Sequence, residues 1–254
     1  MPNILNTVAH RPYPLPISRW RMAQRWNDLL FAHWPIAVDQ MARLLPTKLE
    51  VDAYDGYAWV GVVPFWMDHV RTRTIREHTV AIPSTSTFPE LNLRTYVRSR
   101  TTGLAGVYFF SLDAASTLAV LGARAFFHLP YFRADMQNQI DQNGSIHYRS
   151  RRLFSSRSVR FQASYRAVGD IAPPNVEGTL EHFLTARYCL FTQSGSRLLV
   201  GHIHHLPWPL QLAEAEISIN ELPAVHGIAL PNRPPALHFA RQLEVYIWPL
   251  QQDP

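Results

Sequence analysis

The stretch Pro89-Glu90-Leu91-Asn92-Leu93-Arg94-Thr95-Tyr96-Val97 alternates two kinds of side chain with a period of two. Successive side chains of a strand point to opposite faces, so this spacing predicts a β-strand. Glu90, Asn92, Arg94 and Tyr96 then share one face, and Leu91, Leu93, Thr95 and Val97 the other. Two settings produce such a pattern. In one, the polar face of a surface strand meets solvent. In the other, it lines a pocket inside a barrel, and the apolar face packs outward against helices.

Upstream, Leu49, Val51 and Ala53 alternate up to Asp55-Gly56, a pair that favours positive φ and marks a hairpin turn. The return strand spans 57–63 and is expected to stop at Pro64. Further strands are predicted near 67–76, 88–98, 105–112, 145–153, 158–166, 188–193, 197–205, 212–219 and 240–248. Residues 20–33 read as a helix, because Met22, Trp26, Leu29 and Leu30 recur at helical spacing opposite Arg21, Arg25 and Asp28. A second short helix around Met41, Leu44 and Leu45 is closed by Pro46. A third is predicted over 113–127 with Asp113 as N-cap, and a fourth near 179–187 opening at Thr179. Roughly ten strands and three or four helices, mostly in hairpin order, predict an antiparallel α+β architecture, either a barrel or two packed sheets.

The composition supports a core of that size. Of 254 residues, 47% are hydrophobic and 17% charged, without repeats or low-complexity tracts, so one domain over 1–254 is expected. The formal charge is +5, but the basic residues are dispersed from Arg11 to Arg241, which argues against a nucleic-acid partner. Arginine occurs 23 times and lysine once, at Lys48. The lone Cys189 forms no internal disulfide and sits in an apolar run, which suits a reducing compartment and a core role. No apolar run approaches the roughly 18 residues of a membrane span, and residues 1–18 carry no signal-peptide pattern. A cytoplasmic protein without a membrane partner is expected.

Several strings, in order along the chain, carry a family resemblance. They are Trp26-Asn-Asp-Leu-Leu-Phe31 with His33-Trp34, the Asp55-Gly56 turn running into Val63-Pro-Phe65, and the strand Pro89–Val97. To these belong Gly106-Val-Tyr-Phe-Phe-Ser-Leu-Asp113, the segment from Ala123-Arg124 to Leu129-Pro-Tyr131, and His205-Leu-Pro-Trp-Pro-Leu210. Over about residues 20–215 the chain resembles the YqjF-like family of unknown function, which is similar to the acetoacetate-decarboxylase superfamily. The resemblance implies a cone-like antiparallel β-barrel enclosing a pocket, with a few flanking helices. In acetoacetate decarboxylase a lysine pair following a Phe-Pro step forms the Schiff base, the second charge lowering the pKa of the first amine. Here the matching stretch reads Leu129-Pro130-Tyr131-Phe132, and Lys48 is far away in sequence. An imine mechanism is therefore disfavoured.

The resemblance also implies that Glu90 is the pocket carboxylate and moves the reading of its strand towards the pocket. Arg94 and Arg124 become anion holders, since a guanidinium fork suits a carboxylate. Asn92 and Tyr96 lie on the face of Glu90, Tyr131 stands where the family has its first lysine, and His205 is a pocket-rim candidate. For Arg124 an ion pair fastening a helix to the barrel is an equal alternative, and for Tyr131 and His205 a plain wall position. His202 and His204 would share a strand face, but no third ligand is near, so no metal is expected. Neither a Gly-x-Ser-x-Gly elbow nor a nucleotide-binding glycine motif is present, and no cofactor is expected.

Two function classes follow. One is a lysine-independent lyase, hydratase or isomerase acting on a small organic acid, with Glu90 as acid/base. The other is a non-catalytic ligand-binding or interaction domain that kept the barrel. The oligomeric state, a homo-oligomer included, is left open.

Overall fold

The computed structural model describes residues 4–73, 79–81, 87–117, 120, 128–173 and 176–254. Its strands in chain order are β1 (Met22–Ile36), β2 (Leu49–Val51), β3 (Ala58–Arg73), β4 (Thr79–Ala81), β5 (Thr87–Ser99), β6 (Ala105–Ala114) and β7 (Tyr131–Ile140). They continue with β8 (Ile146–Arg152), β9 (Arg160–Val168), β10 (Cys189–Ser194), β11 (Arg197–His204), β12 (Leu210–Asn220), β13 (Ala236–Ile247) and β14 (Gln251–Gln252). Short helices at Val38–Ala42, Leu180–Thr185 and Leu222–Val225 flank the sheet. Among the described residues no helix is long and apolar enough to cross a membrane.

The sheet closes on itself in nine strands, β6-β7-β8-β9-β12-β13-β1-β3-β5 and back to β6. Pairing is mixed, because β6 runs parallel to both β7 and β10, where hairpin order alone predicted an antiparallel sheet. A second ring shares five of these strands. At one end of β6, Val107 and Tyr108 pair with β10, and at one end of β13, Ile247 and Tyr246 pair with β11. Since β10 and β11 pair with each other, β13-β1-β3-β5-β6 also close through them into a seven-strand ring.

The shared strands therefore bury both faces. Leu30, Ala32, Val60, Val62, Leu91 and Leu93 belong to a core inside the nine-strand ring, with Tyr148, Phe161 and Tyr165. Leu29, Phe31, Val63, Phe65, Phe109 and Leu112 belong to a second core, inside the seven-strand ring. The apolar face of β5 packs on the first of these cores, not outward against helices. Two irregularities change which residues face which ring. Asp28, at φ 51°, lies where the β1–β3 register shifts between Asn27 and Ala32. Before it Trp26 packs against the second core, and after it Leu29 and Phe31 do. On β6, Phe110 is the extra residue between the Leu93–Ser111 and Arg94–Phe109 pairs, and the phase moves from Val107 and Phe109 to Leu112 and Ala114.

These features explain where the strand and helix expectations differ from the structure. Residues 20–33 are mostly strand β1, not a helix: burial on both faces removed the period of two, and the bulge at Asp28 placed apolar residues three and four apart. Strand β3 continues through Pro64, which lies where the β1–β3 ladder is interrupted and tolerates a residue without an N–H. Asp113 is no N-cap. It belongs to β6 and is held by Arg152 Nη2 at 2.7 Å inside the barrel. Positions 118–119 and 121–127 of that expected helix lie outside the described residues. Strand β7 gave little sequence signal, since its exposed residues Asp135, Gln137 and Gln139 alternate with the small Ala134, Met136 and the polar Asn138 rather than with a run of large apolar side chains. Thr179 does cap its helix, accepting from the His182 N–H at 3.3 Å.

Closure of the smaller ring depends on a close approach at Gly106. A Cβ there would stand 2.7 Å from the Cys189 carbonyl oxygen and 2.7 Å from its Sγ. Backbone cannot yield as a side-chain tip does. Gly106→Ala is expected to destabilise the protein by about 1–3 kcal/mol, the ordinary cost of overpacking, measured by urea denaturation. An unchanged midpoint would mean that the β6–β10 seam is loose.

Candidate functional site

Strand β5 carries its polar residues into the seven-strand ring. Glu90 sits in a row with Phe65 of β3 and Ala114 of β6, Asn92 with Val63 and Leu112, and Arg94 with Gly61 and Phe109. The three polar side chains form a stripe between apolar rows and border one cavity of about 100 Å³. A water needs on the order of 10–15 Å³ by this measure, so the space fits a small organic molecule. All three are nearly inaccessible to bulk water, at 3%, 6% and 8% exposure.

Glu90 and Tyr131 form the chemistry at one end. The Tyr131 hydroxyl donates to Glu90 Oε2 at 2.9 Å, and Asn92 also hydrogen-bonds the carboxylate. Burial outweighs both and, helped by the negative charge of Asp113, raises the Glu90 pKa to about 8. Near neutral pH Glu90 is therefore mostly protonated.

Arg94 stands at the other end, about 13 Å along the strand from Glu90 at ~3.3 Å per residue. Its Nη2 reaches the Tyr96 hydroxyl at 3.4 Å, and its guanidinium lies 5.3 Å from the centre of the Phe31 ring. Its Nε has no hydrogen-bond partner, and among the described residues no carboxylate pairs with it. Asn92 Oδ1 is also buried without a partner. Tyr96 does not line the cavity; it is fully buried behind Arg94, its hydroxyl 2.7 Å from His33 Nε2. Burial and the nearby Arg94 charge hold the His33 pKa well below its ordinary value, so the ring is neutral. Arg94 donates to the Tyr96 oxygen, which leaves His33 Nε2 as acceptor of the phenol proton. Gly61 makes room for this contact, because a Cβ there would meet His33 Nε2 at 2.6 Å.

The structure brings Glu90, Asn92, Arg94, Tyr131 and His205 to one cavity. Arg124 lies outside the described residues. His205 stacks on Tyr188 at 4.7 Å, and its ring nitrogens face the carbonyls of Leu206 and Arg187. Desolvation lowers its pKa to about 4, so it is a neutral wall. His204 is on the other side, 3.1 Å from Arg11, and His202 packs edge-on to Tyr13. Among the described residues no three His, Cys, Asp or Glu side chains are grouped to hold a metal. Lys48 is exposed in the turn before β2 and is not part of the cavity. The polar wall residues Gln24, Thr185 and Arg187 escaped the sequence reading, and of these Arg187 is charged, its Nη1 meeting Asp52 Oδ2 at 2.5 Å. Its only signal was a charge wedged between a short helix and the apolar run at Cys189.

Residues 23–244 match the model of the DUF2071 family, described as an uncharacterized conserved protein. The uncharacterized protein YqjF of Bacillus subtilis (strain 168) is 47% identical over 240 residues, spanning 94% of this chain and 95% of that one. Solved structures share the fold at low identity. The enduracididine biosynthesis enzyme MppR complexed with pyruvate aligns with a TM-score of 0.61 and 10% identity over 93% of this chain and 91% of its own. Acetoacetate decarboxylase from Legionella pneumophila aligns with a TM-score of 0.58 and 10% identity over 100% and 96%. An acetoacetate decarboxylase-like enzyme from Sphingomonas wittichii RW1 gives 0.58 and 12% over 95% and 96%.

Glu90 links stability to pH. Between its ordinary value of 4.5 and about 8, the folded protein keeps a proton that the unfolded chain has lost. Stability should therefore fall as pH rises through this window, by at most about 1.4 kcal/mol per unit from this group. Urea denaturation at pH 6 and pH 8 should show the fall in the natural sequence and a flatter profile in Glu90→Gln. Identical slopes in both would place the Glu90 carboxyl in water.

Proposed function

The chain belongs to the DUF2071 family of uncharacterized conserved proteins, and we propose that its barrel pocket binds a small organic acid and moves a proton on it without a lysine. The observation that carries this reading is the buried Arg94, which lines the cavity with no carboxylate of its own among the described residues. A guanidinium does not lose its proton under ordinary conditions, and an uncompensated charge in an apolar chamber is costly. A ligand carboxylate would supply the missing charge in two parallel hydrogen bonds. That MppR, which shares the fold, was solved with pyruvate is compatible with this class of ligand.

Glu90 is the acid/base group in this reading. Protonated, it can donate to a ligand carbonyl oxygen; ionised, it can take a proton from the adjacent carbon. Enolisation, dehydration and related lyase or isomerase steps need only such a transfer. An imine would need an amine in the cavity, and the chain's one lysine is exposed elsewhere. One observation favours a second reading, a binding domain without catalysis: Tyr131 already occupies Glu90 Oε2.

A thermal-shift titration with 2-oxo acids, their esters and Arg94→Met tests the binding. At about 100 times its dissociation constant a ligand adds roughly 2.7 kcal/mol, several degrees for a chain of this size. The acids should stabilise the natural sequence and leave Arg94→Met unmoved, while the empty variant melts at or above the natural protein because a buried charge is gone. Deuterium exchange at the carbon next to the carbonyl then separates the two readings. Exchange lost in Glu90→Gln with binding kept supports catalysis; binding without exchange in either protein supports the binding domain. No shift with any acid would remove the carboxylate pocket altogether.

A further inference from the structure

Charge accounting around the cavity narrows the ligand further. Of the two guanidiniums in the described wall, Arg187 is neutralised by Asp52, which is partly buried beside it and also takes the more exposed Arg98 at 3.1 Å. His205 and His33 are neutral, and Glu90 keeps its proton. One positive charge, that of Arg94, is left to be matched. Beyond the wall at the Glu90 end, Arg152 is bound to Asp113 through Nε and Nη2, with side chains 4% and 1% exposed, and Arg133, outside the wall, holds Thr117 and the Ala134 carbonyl. Among the described residues that line the cavity none at that end is a cation, so a second carboxylate there would meet no charge in the described wall.

Apart from Gln24 and Thr185, the remaining described wall is hydrocarbon or aromatic. Leu29, Val107, Phe109, Leu190, Ile203 and Trp208 enclose the cavity, contributed by β1, β6, β10, β11 and the loop following β11. Apolar groups in such a chamber gain from leaving water, whereas an unmatched charge loses its hydration.

We propose that the pocket selects a singly charged acid with an apolar chain, its carboxylate on Arg94, and rejects dianions of the same length. The inference rests on the carboxylate reading above and adds charge number and tail chemistry to it. Any neutral oxygen farther along the chain would lie towards Glu90 and Tyr131, where a protonated carboxyl and a phenol can meet it. The selectivity is electrostatic rather than steric, so capping one end of a diacid should restore binding although it adds atoms.

Calorimetric titration of the full chain at pH 7 with adipate, monomethyl adipate and dimethyl adipate isolates the charge, because the three share one carbon backbone. Butanoate, pentanoate and hexanoate isolate the tail. The expected result is that monomethyl adipate binds at least tenfold more tightly than adipate, that the diester binds weakest, and that each added methylene tightens the monoacids by about fourfold. Adipate binding as tightly as its monoester would overturn the single-charge inference while leaving the carboxylate reading in place. A flat response across the three monoacids would overturn the apolar-tail part in the same way. Failure of every acid to bind, or equal binding by the diester, would overturn the carboxylate reading itself.

Discussion

Strand β5 has no face turned to water. It is one of five strands that the nine-strand and seven-strand rings share, so a side chain on either side of it enters a packed interior. Leu91 and Leu93 satisfy that constraint on one side. On the other, Glu90, Asn92 and Arg94 must be accommodated inside the protein, and burying polar groups is costly unless they find partners. Much else follows from this. The cavity exists where hydrocarbon cannot close over the stripe, Gly61 keeps its row open for His33, and Gly106 lets the second ring approach closely enough to close.

The three polar residues meet that cost differently. Glu90 meets it by keeping its proton, with Tyr131 and Asn92 as hydrogen-bond partners. Asn92 leaves its carbonyl oxygen unpaired against the cavity. Arg94 cannot shed its charge, and its protein contacts are one long hydrogen bond and aromatic faces. Elsewhere in the same interior Arg152 is paired with Asp113 and Arg187 with Asp52, while Arg11, away from the cavity, is held by the Ile203 and Tyr13 carbonyls and His204. Among the buried arginines described, Arg94 is the one that lines the cavity without a carboxylate, and that is the form of a site completed by a ligand.

How much of this is legible in the sequence follows from the same geometry. The strand holding the stripe was legible, because Glu90 to Val97 differ in polarity on their two sides and only the destination of the polar side was ambiguous. Strand β1 was not, because a doubly buried strand has no polar side to mark its period, and the bulge at Asp28 adds a false helical spacing. The parallel pairings of β6 were invisible to a reading based on hairpin order. Arg94, Glu90 and His205 were found as candidates through their alternation and the family strings. Arg187 was missed, since its place in the wall depends on the packing of a six-residue helix against the barrel.

A crystal structure of the protein soaked with a five-carbon 2-oxo acid tests the central claim most directly. The account predicts the ligand carboxylate across the Arg94 guanidinium, with its carbon chain in the hydrocarbon chamber and Tyr96 still hydrogen-bonded behind the arginine. Arg94 found paired with a carboxylate of the protein itself, or the cavity closed by side chains with the acid absent, would contradict it.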